Sequence, residues 1–259
     1  MSRNSVGYVI GFAIAVCLVC SLLVSGAAVA LKDRQAANAL ADKQKKVLVV
    51  AGILDEGDKV SNEEANELFA ANIQSRAVDL RTGTYADEGA IDLGSYDQRK
   101  ASKDASLSEE APENDAKVQR VPHYAVVYQV MGEADQVDQV ILPIQGAGLW
   151  STLYGFIAIE ADGDTIGGIT FYEHGETPGL GGEVDNPRWK ALWPGRKLRN
   201  RQGDLAIQVI KGAAAPASNA PNKVDGLSGA TLTSNGVTNA LHFWLGPDAF
   251  GPYLSTLKG

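Results

Sequence analysis

Cysteine is almost absent from this chain of 259 residues, because its only two cysteines, Cys17 and Cys20, both lie in the first hydrophobic run. The rest of the sequence therefore holds neither a disulfide framework nor a thiolate metal site. Positive charge is also in short supply: 23 lysines and arginines face 31 acidic residues, and the net charge is -8. Nucleic acid, whose phosphates need a basic surface, is not an expected partner.

Several signatures of catalysis are missing as well. The three histidines are scattered: no H-x-x-H spacing suggests a metal, and no Ser-His-Asp arrangement suggests a hydrolase. No G-x-G-x-x-G loop is present, so direct binding of NADH is not expected. Cys17 and Cys20 would share one face of a helix, but with no second pair they are best interpreted as small apolar residues. We predict no metal site and no catalytic residue.

The longest hydrophobic run, residues 6–31, carries no charge. As a helix it would be about 39 Å long, enough to cross a hydrocarbon core of roughly 30 Å. The alternative is a cleaved signal peptide, for which residues 25–28 resemble a cleavage site, but its apolar core would span only about 7–15 residues. We therefore predict a retained single-pass anchor in residues 1–34. The lysine and arginine count leaves its orientation open, because long domains translocate regardless of such counts.

Residues 35–120 are predicted to form a stalk, a helical region and an acidic loop. The β-branched run 47–51 fits either a strand or a packing contact. Ser61 begins a capping box with Glu64, and apolar residues at helical spacing continue that helix to about Leu80. The segment 82–117 is rich in acidic residues, serine and glycine, which is typical of a solvated loop.

The third region, residues 121–259, is dominated by runs of β-branched and aromatic residues. Four of these runs are predicted strands: 124–131, 139–144, 153–160 and 165–173. The last two form a hairpin whose turn contains Gly163 and Asp164. Residues 208–211 fit a further strand, and helical spacing predicts a final helix over 234–245. The predicted fold class is α+β: one transmembrane helix, then an antiparallel sheet with flanking helices.

Small residues are concentrated just before the final helix, in the run Asp225-Gly226-Leu227-Ser228-Gly229-Ala230-Thr231-Leu232-Thr233-Ser234. Gly229 and Ala230 leave room for a bulky group beside the backbone. The start of a helix has free N–H groups and a positive dipole end, so it favours a phosphate. The simpler interpretation is an N-cap formed by a serine or threonine. The residues alone leave both interpretations open.

The pattern Asp-x-x-Ser-Gly-Ala-Thr that ends at Thr231 is similar to the recognition site of flavin transferases. These enzymes join FMN through its phosphate to a threonine hydroxyl. The resemblance implies that Thr231 carries covalent FMN, and Thr233 is the nearest competing hydroxyl. The resemblance also assigns the other matched positions to the cofactor site: Asp225, Ser228, Gly229 and Ala230.

A second motif, Glu-Thr-Pro-Gly-Leu-Gly, begins at Glu176. Its simple interpretation is a turn built by Pro178 and Gly179. The functional interpretation is a loop whose glycines let the backbone lie against a flat ring. The motif resembles that of the flavin-bearing C subunits of Na+-translocating NADH:quinone oxidoreductases, and more loosely that of the G subunits of Rnf complexes. The resemblance implies that five of its residues contact the cofactor: Glu176, Thr177, Gly179, Leu180 and Gly181.

The tryptophan of the Gly146–Trp150 run, Trp150, has two interpretations. It stacks beside the flavin ring, as a flat aromatic side chain can, or it is a core tryptophan. The order of these features along the chain is the same as in the C-subunit family: the single span, the Gly146–Trp150 run, the hairpin and the C-terminal Ser-Gly-Ala-Thr. The resemblance therefore covers nearly the whole chain.

The resemblance implies a bacterial inner-membrane subunit with its soluble domain in the periplasm. The complex would oxidise NADH, reduce ubiquinone and export Na+. This subunit would pass electrons from an iron–sulfur centre to a flavin in a neighbouring subunit. Its implied partners are the other subunits, the lipid bilayer and the flavin transferase that matures it. Two alternatives stay open: an Rnf-type subunit with covalent FMN, and a membrane-anchored scaffold or binding module without a cofactor.

Overall fold

The computed structural model describes residues 6–132 and 136–257. They form two compact units, one up to Lys43 and one from Gln44 onward. The first unit is the greater part of α1 (Val6–Val50), a single helix of 45 residues. Among the described helices it alone is long and apolar enough to cross a membrane, and its most hydrophobic window is entirely unburied. Such a helix fits the predicted single-pass anchor, since apolar surface of this extent needs a lipid or protein cover.

The helix α1 does not end with its apolar run but continues through the predicted stalk to Val50. Of the run 47–51, for which a strand or a packing contact is predicted, residues 47–50 form the end of this helix, and Val47, Leu48 and Val50 are buried in the second unit. The predicted limit at residue 34 therefore lies inside a helix, and the limit at residue 120 lies inside the second unit.

A six-stranded antiparallel sheet forms the framework of the second unit, in the order β2-β1-β5-β6-β7-β8. Its strands are β1 (Ile73–Asp79), β2 (Thr84–Tyr85), β5 (Tyr124–Met131), β6 (Val137–Ala147), β7 (Thr152–Glu160) and β8 (Ile166–Glu173). Two short pairs lie outside it: β3 (Ser108–Glu110) with β4 (Arg120–Pro122), and β9 (Gln208–Val209) with β10 (Lys223–Val224). The helices are α2 (Asn62–Asn72), α3 (Gln98–Ala101), α4 (Pro187–Lys190), α5 (Thr231–Trp244) and α6 (Gly251–Thr256). The predicted α+β class and the β7–β8 hairpin are confirmed.

Each face of the sheet packs against its own hydrophobic core. A single strand contributes to both cores, because its successive side chains point to opposite faces. In β7, Ile157 and Ile159 enter the core that contains α5 and α6, whereas Phe156 and Ala158 enter the core formed with the end of α1 and α2. Helices thus cover both sides of the central strands.

The helix α5 lies unusually close to the end of β6. A Cβ added at Gly236 would sit 2.2 Å from the carbonyl oxygen of Ala147, and one at Gly146 would sit 2.7 Å from the Cβ of Ala240. The indole Nε1 of Trp244 donates to the carbonyl of Gln145 over 2.7 Å. These contacts fix the middle and the end of α5 against the last residues of β6.

The predicted helix from Ser61 to Leu80 is right only in its first half. Ser61 is the N-cap and accepts a hydrogen bond from the amide of Glu64, as the capping box requires. Beyond Asn72, however, the chain becomes β1, which pairs with β5 over seven residues. Pairing with a buried neighbouring strand outweighs the local helical spacing there.

The segment 82–117 is mostly irregular and exposed, as predicted for a solvated loop, but parts of it are packed. It contains α3 and β3, and it buries Ala101, Ser108 and Ala116. Ser108 is also tied to the strand β4, since the guanidinium of Arg120 donates to its hydroxyl over 2.8 Å and to its carbonyl over 2.6 Å. The segment is therefore attached to the second unit at these points, while most of its residues remain exposed.

Candidate functional site

Thr231 is the first residue of α5, so this helix begins three residues earlier than predicted. Its side chain is exposed. The N-cap position is Ala230, and α5 has no side-chain cap within the described residues. The N–H groups of a first helical turn have no partners within the helix and are normally satisfied by a cap, water or a ligand. This helix start therefore combines an accessible hydroxyl with free donors and a positive dipole end, an arrangement that favours a phosphate.

Thr233, the competing hydroxyl, is in a different environment. It is fully buried, and its hydroxyl donates to Oε2 of Glu176 over 2.5 Å. The next hydroxyl, that of Ser234, is also buried and accepts the amide proton of Leu227 over 3.1 Å. Of these three neighbouring hydroxyls, only that of Thr231 is accessible from solvent.

A cleft of about 330 Å³ lies beside Thr231, between segments 209–212 and 226–231. Glycines let its walls come close together. A Cβ at Gly226 would lie 2.2 Å from the carbonyl oxygen of Ile210, and Gly229 has a φ of +71°, which disfavours other residues. The lining includes the exposed polar side chains of Lys211, Ser228 and Asn235.

Asp225 is placed behind the cleft and holds one of its walls. Its Oδ1 accepts the amide proton of Ala214 over 2.9 Å, and its carbonyl accepts the indole proton of Trp189 over 2.9 Å. Trp189 packs edge-on against Trp193 and both are buried, so these tryptophans attach the loop to the sheet. The carboxylate therefore fixes the backbone of the 212–225 loop.

Glu176 is buried, with 5% of its surface exposed, and its carboxylate receives four hydrogen bonds. The amides of Trp150 and Ser151 donate to Oε1 over 2.9 and 3.3 Å. The amide of Leu149 donates to Oε2 over 3.2 Å, beside the Thr233 hydroxyl. Burial by itself would raise the pKa of Glu176, but the Thr233 hydroxyl and the three amides outweigh burial and lower that pKa. The carboxylate is thus an anion held by protein donors.

The remainder of the Glu-Thr-Pro-Gly-Leu-Gly motif forms the turn that its sequence indicates. The carbonyl of Thr177 accepts amide protons from Leu180 and Gly182 over 3.1 and 3.0 Å, and Gly179 has a φ of +77°. Thr177, Gly179 and Leu180 are exposed, whereas Gly181 is buried. The turn brings Leu180 to Gly229, where an added Cβ would meet the leucine Cδ2 at 2.9 Å. The two sequence motifs are therefore in contact.

Trp150 is 70% exposed, so the core interpretation of this tryptophan is wrong. Leu149, Leu180 and Leu232 are also large apolar side chains with more than a third of their surface exposed. They occupy the loops and the helix start that meet around Glu176. An apolar surface of this kind is typical of a binding site.

The structure brings the predicted residues into two adjacent groups. Thr231, Ser228 and Gly229 line the cleft, with Ala230 buried behind them. The 176–181 loop and Trp150 meet at the Glu176 carboxylate instead. Sequence reasoning missed Thr233 as the partner of Glu176, because the two residues are 57 positions apart and no local pattern connects them. Among the described residues no cluster of three or more histidine, cysteine or acidic side chains could hold a metal.

Comparison with known proteins shows which family this chain belongs to. The model of the FMN-binding domain family matches residues 148–246, which include both motifs and the start of α5. The C subunit of the Na(+)-translocating NADH-quinone reductase of Pseudomonas aeruginosa is 52% identical over 249 residues, 95% of this chain and 94% of that relative. The chain belongs to the family of these C subunits.

Other relatives of this C-subunit family agree. The protein of Vibrio vulnificus is 49% identical over 259 residues. The alignment covers 99% of this chain and 97% of that relative. The crystal structure of Shewanella oneidensis NqrC superposes with a TM-score of 0.76 and 33% identity, covering 84% of this chain and 97% of that one. The family resemblance noted in the motifs is therefore confirmed over nearly the whole sequence and over 84% of the chain in structure.

Proposed function

We propose that this chain carries FMN as a phosphoester on Thr231 and relays electrons within a membrane complex that oxidises NADH, reduces ubiquinone and exports Na+. The observation that carries the proposal is the exposed hydroxyl of Thr231, at an uncapped helix start beside a cleft, inside a matched FMN-binding domain. When bound, FMN supplies one-electron transfer, while the protein sets its position and electrostatic surroundings. No general acid or base is required for this role.

The residues beside Thr231 suit a phosphate. The free amides and the positive end of α5 would stabilise its charge. Ser228 and Lys211 line the same cleft and would donate hydrogen bonds to its oxygens. The phosphoryl group would also serve as the N-cap that Ala230 cannot provide. These features support attachment at this end of the helix.

The choice of Thr231 over Thr233 is supported by access. A flavin transferase must reach the acceptor hydroxyl, and the hydroxyl of Thr233 is fully buried and engaged by Glu176. Attachment there would leave the carboxylate without its donor and would require α5 to separate from the 176–181 loop. Attachment at Thr231 needs no such change.

The flavin ring would be covered by the exposed apolar side chains near the helix start. Trp150 and Leu180 offer flat and aliphatic surfaces, and the exposed turn at Thr177 and Gly179 would approach the ring with its backbone. Covering these side chains removes apolar area from water and contributes about 25 cal/mol for each Å² buried. The ring would therefore lie across the 148–151 and 176–181 loops.

The relatives bear on the alternatives. They are named as C subunits of a Na(+)-translocating NADH-quinone reductase and match this chain almost end to end, which favours that complex over an Rnf-type assembly. The matched FMN-binding domain weighs against a cofactor-free scaffold. The implied partners are the other subunits of the complex, the lipid around α1 and a flavin transferase during maturation.

The flavin proposal is tested by expressing the full chain with and without a flavin transferase. Denaturing electrophoresis followed by fluorescence imaging should show a yellow-green band only in the co-expression sample, because a phosphoester survives denaturation. A host without its own transferase is the control. A colourless protein of sequence mass in both samples would contradict covalent attachment.

We also propose that the soluble unit lies in the periplasm. Alkaline phosphatase, which matures only there, should be active when fused after residue 259, and green fluorescent protein fused at the same position should be dark. The opposite pattern would place the unit in the cytoplasm. The same two reporters joined to the amino terminus of the full chain provide the matched control. That side of the membrane span should give the reverse result.

A further inference from the structure

The carboxylate of Glu176 is the meeting point of three segments that are distant in sequence. Three consecutive amides, those of Leu149, Trp150 and Ser151, point at it from the loop after β6. The hydroxyl of Thr233 reaches it from the first turn of α5. The carboxylate itself belongs to the loop after β8. Each of its two oxygens therefore accepts two hydrogen bonds from the protein.

The surroundings of this carboxylate are closed by backbone. A Cβ added at Gly148 would lie 2.6 Å from Oε1, and one added at Gly181 would lie 2.6 Å from Oε2. Even a methyl group has no room on these sides. With 5% of Glu176 exposed, the space around its oxygens is occupied by its own donors and by these two glycines.

The backbone around Glu176 is held by hydrogen bonds as well. Its amide donates to Nδ1 of His174 over 3.2 Å, and Nε2 of the same ring is 2.8 Å from Oδ2 of Asp185. The amide of Gly175 donates to the hydroxyl of Ser151 over 2.5 Å. The loop that carries the carboxylate is thus attached both to the 148–151 loop and to the 3-10 turn Gly181–Asp185.

We infer that Glu176 is a positioning residue, which joins the 148–151 loop, the 174–182 loop and the first turn of α5 and holds them around the cofactor on Thr231. Its carboxylate does not contact the cofactor. The inference rests on the proposed function for the identity of the cofactor. It assigns Thr233 the matching role of donor, and it explains why this hydroxyl is adjacent to the attachment site without being one.

The variants Glu176→Gln and Thr233→Val test the inference, with Thr233→Ser as the conservative rescue and Glu173→Gln as the matched control. Glu173 is three positions away, exposed, and paired with Arg99.

In the first arm, hydrogen exchange of residues 149–151 is measured in the full chain in detergent, in a flavin-free Thr231→Val background. Glu176→Gln and Thr233→Val should speed exchange roughly tenfold or more, because hydrogen bonds to a buried charge are lost. Thr233→Ser and Glu173→Gln should exchange as the parent does.

In the second arm, the same variants keep Thr231 and are co-expressed with a flavin transferase. FMN should remain attached in all of them. The visible absorbance and midpoint potential of the flavin should change in Glu176→Gln and Thr233→Val, and should stay at parent values in Thr233→Ser and Glu173→Gln. Should Glu176→Gln fail to fold, Thr233→Val decides, since it removes one of the four hydrogen bonds.

Unchanged exchange together with a changed flavin spectrum would overturn the inference, because it would mean that Glu176 contacts the ring directly. Changed exchange with an unchanged flavin would overturn it too, leaving Glu176 with a role in stability alone. If the parent itself carries no FMN, the proposed function has failed. The exchange arm would in that case still decide whether Glu176 joins the loops.

Discussion

Thr231→Val is expected to remove covalent flavin from this chain completely. Valine keeps the β-branched shape of threonine at an exposed position, so the start of α5 should be preserved. It lacks the hydroxyl, so no phosphoester can form. Surface substitutions of this kind usually change stability by less than about 0.5 kcal/mol. The expected result is a non-fluorescent band in denaturing electrophoresis, from a protein whose thermal unfolding matches that of the flavin-free parent.

Two companion variants make this result specific to the site. Thr231→Ser retains a hydroxyl at the same place and should retain at least part of the fluorescence. Thr233→Val removes the neighbouring hydroxyl, which is buried, and should leave the fluorescence in place. If fluorescence persists in Thr231→Val and disappears in Thr233→Val, the flavin is attached to Thr233, and the proposed attachment to Thr231 is wrong.

Gly236→Ala is expected to destabilise the folded second unit by about 2–3 kcal/mol. Helix propensity alone would predict that this substitution stabilises the fold, because alanine is favoured over glycine within a helix by about 1 kcal/mol. The new Cβ, however, would lie 2.2 Å from the carbonyl oxygen of Ala147. That atom belongs to the backbone of β6 and cannot rotate away, so α5 must move off the sheet. The steric term is therefore expected to exceed the gain in helix propensity.

Thermal unfolding of the full chain in detergent measures this effect. The expected loss corresponds to a decrease in Tm of roughly 4–12 °C for a unit of this size. Asn235→Ala is the matched control, since residue 235 is exposed on the same helix and its substitution should leave Tm nearly unchanged. A Tm that rises in Gly236→Ala would show that α5 does not pack on β6 as closely as described.

The order of elements could be predicted where one pattern dominates locally. The hairpin of β7 and β8 and the strand β5 have continuous β-branched and aromatic runs, and their predicted positions are confirmed within one residue. The helix after Ser61 shows the limit. Ile73 and Arg76 extend its helical spacing by chance, but β1 pairs with a strand about 50 positions later, and that partner lies outside any local window.

The start of α5 at Thr231 precedes its predicted start at residue 234 for a physical reason as well. Sequence signals for a helix start are capping side chains, and Ala230 provides none. The first turn also exposes Leu232, so the apolar stripe begins only at the buried residues that follow. A helix without a cap is costly for the isolated chain, and a phosphate on Thr231 would offset that cost. The mismatch between sequence signal and structure thus falls on the proposed attachment site.

The sequence motifs identify the residues of the candidate site, but only the three-dimensional structure separates their roles. Glu176 and Thr231 are equally conspicuous in the sequence. In the structure, the first is closed in by backbone donors and the second is open to solvent. Burial and hydrogen bonding, which depend on long-range packing, separate a residue that holds loops from one that accepts a cofactor.

The most direct measurement is the mass of the tryptic peptide 224–258 from protein purified out of its own membranes, with fragmentation that locates any modification. We predict a gain of one FMN less one water, located on Thr231. The same peptide found only at its unmodified mass, or modified on another residue, would contradict it.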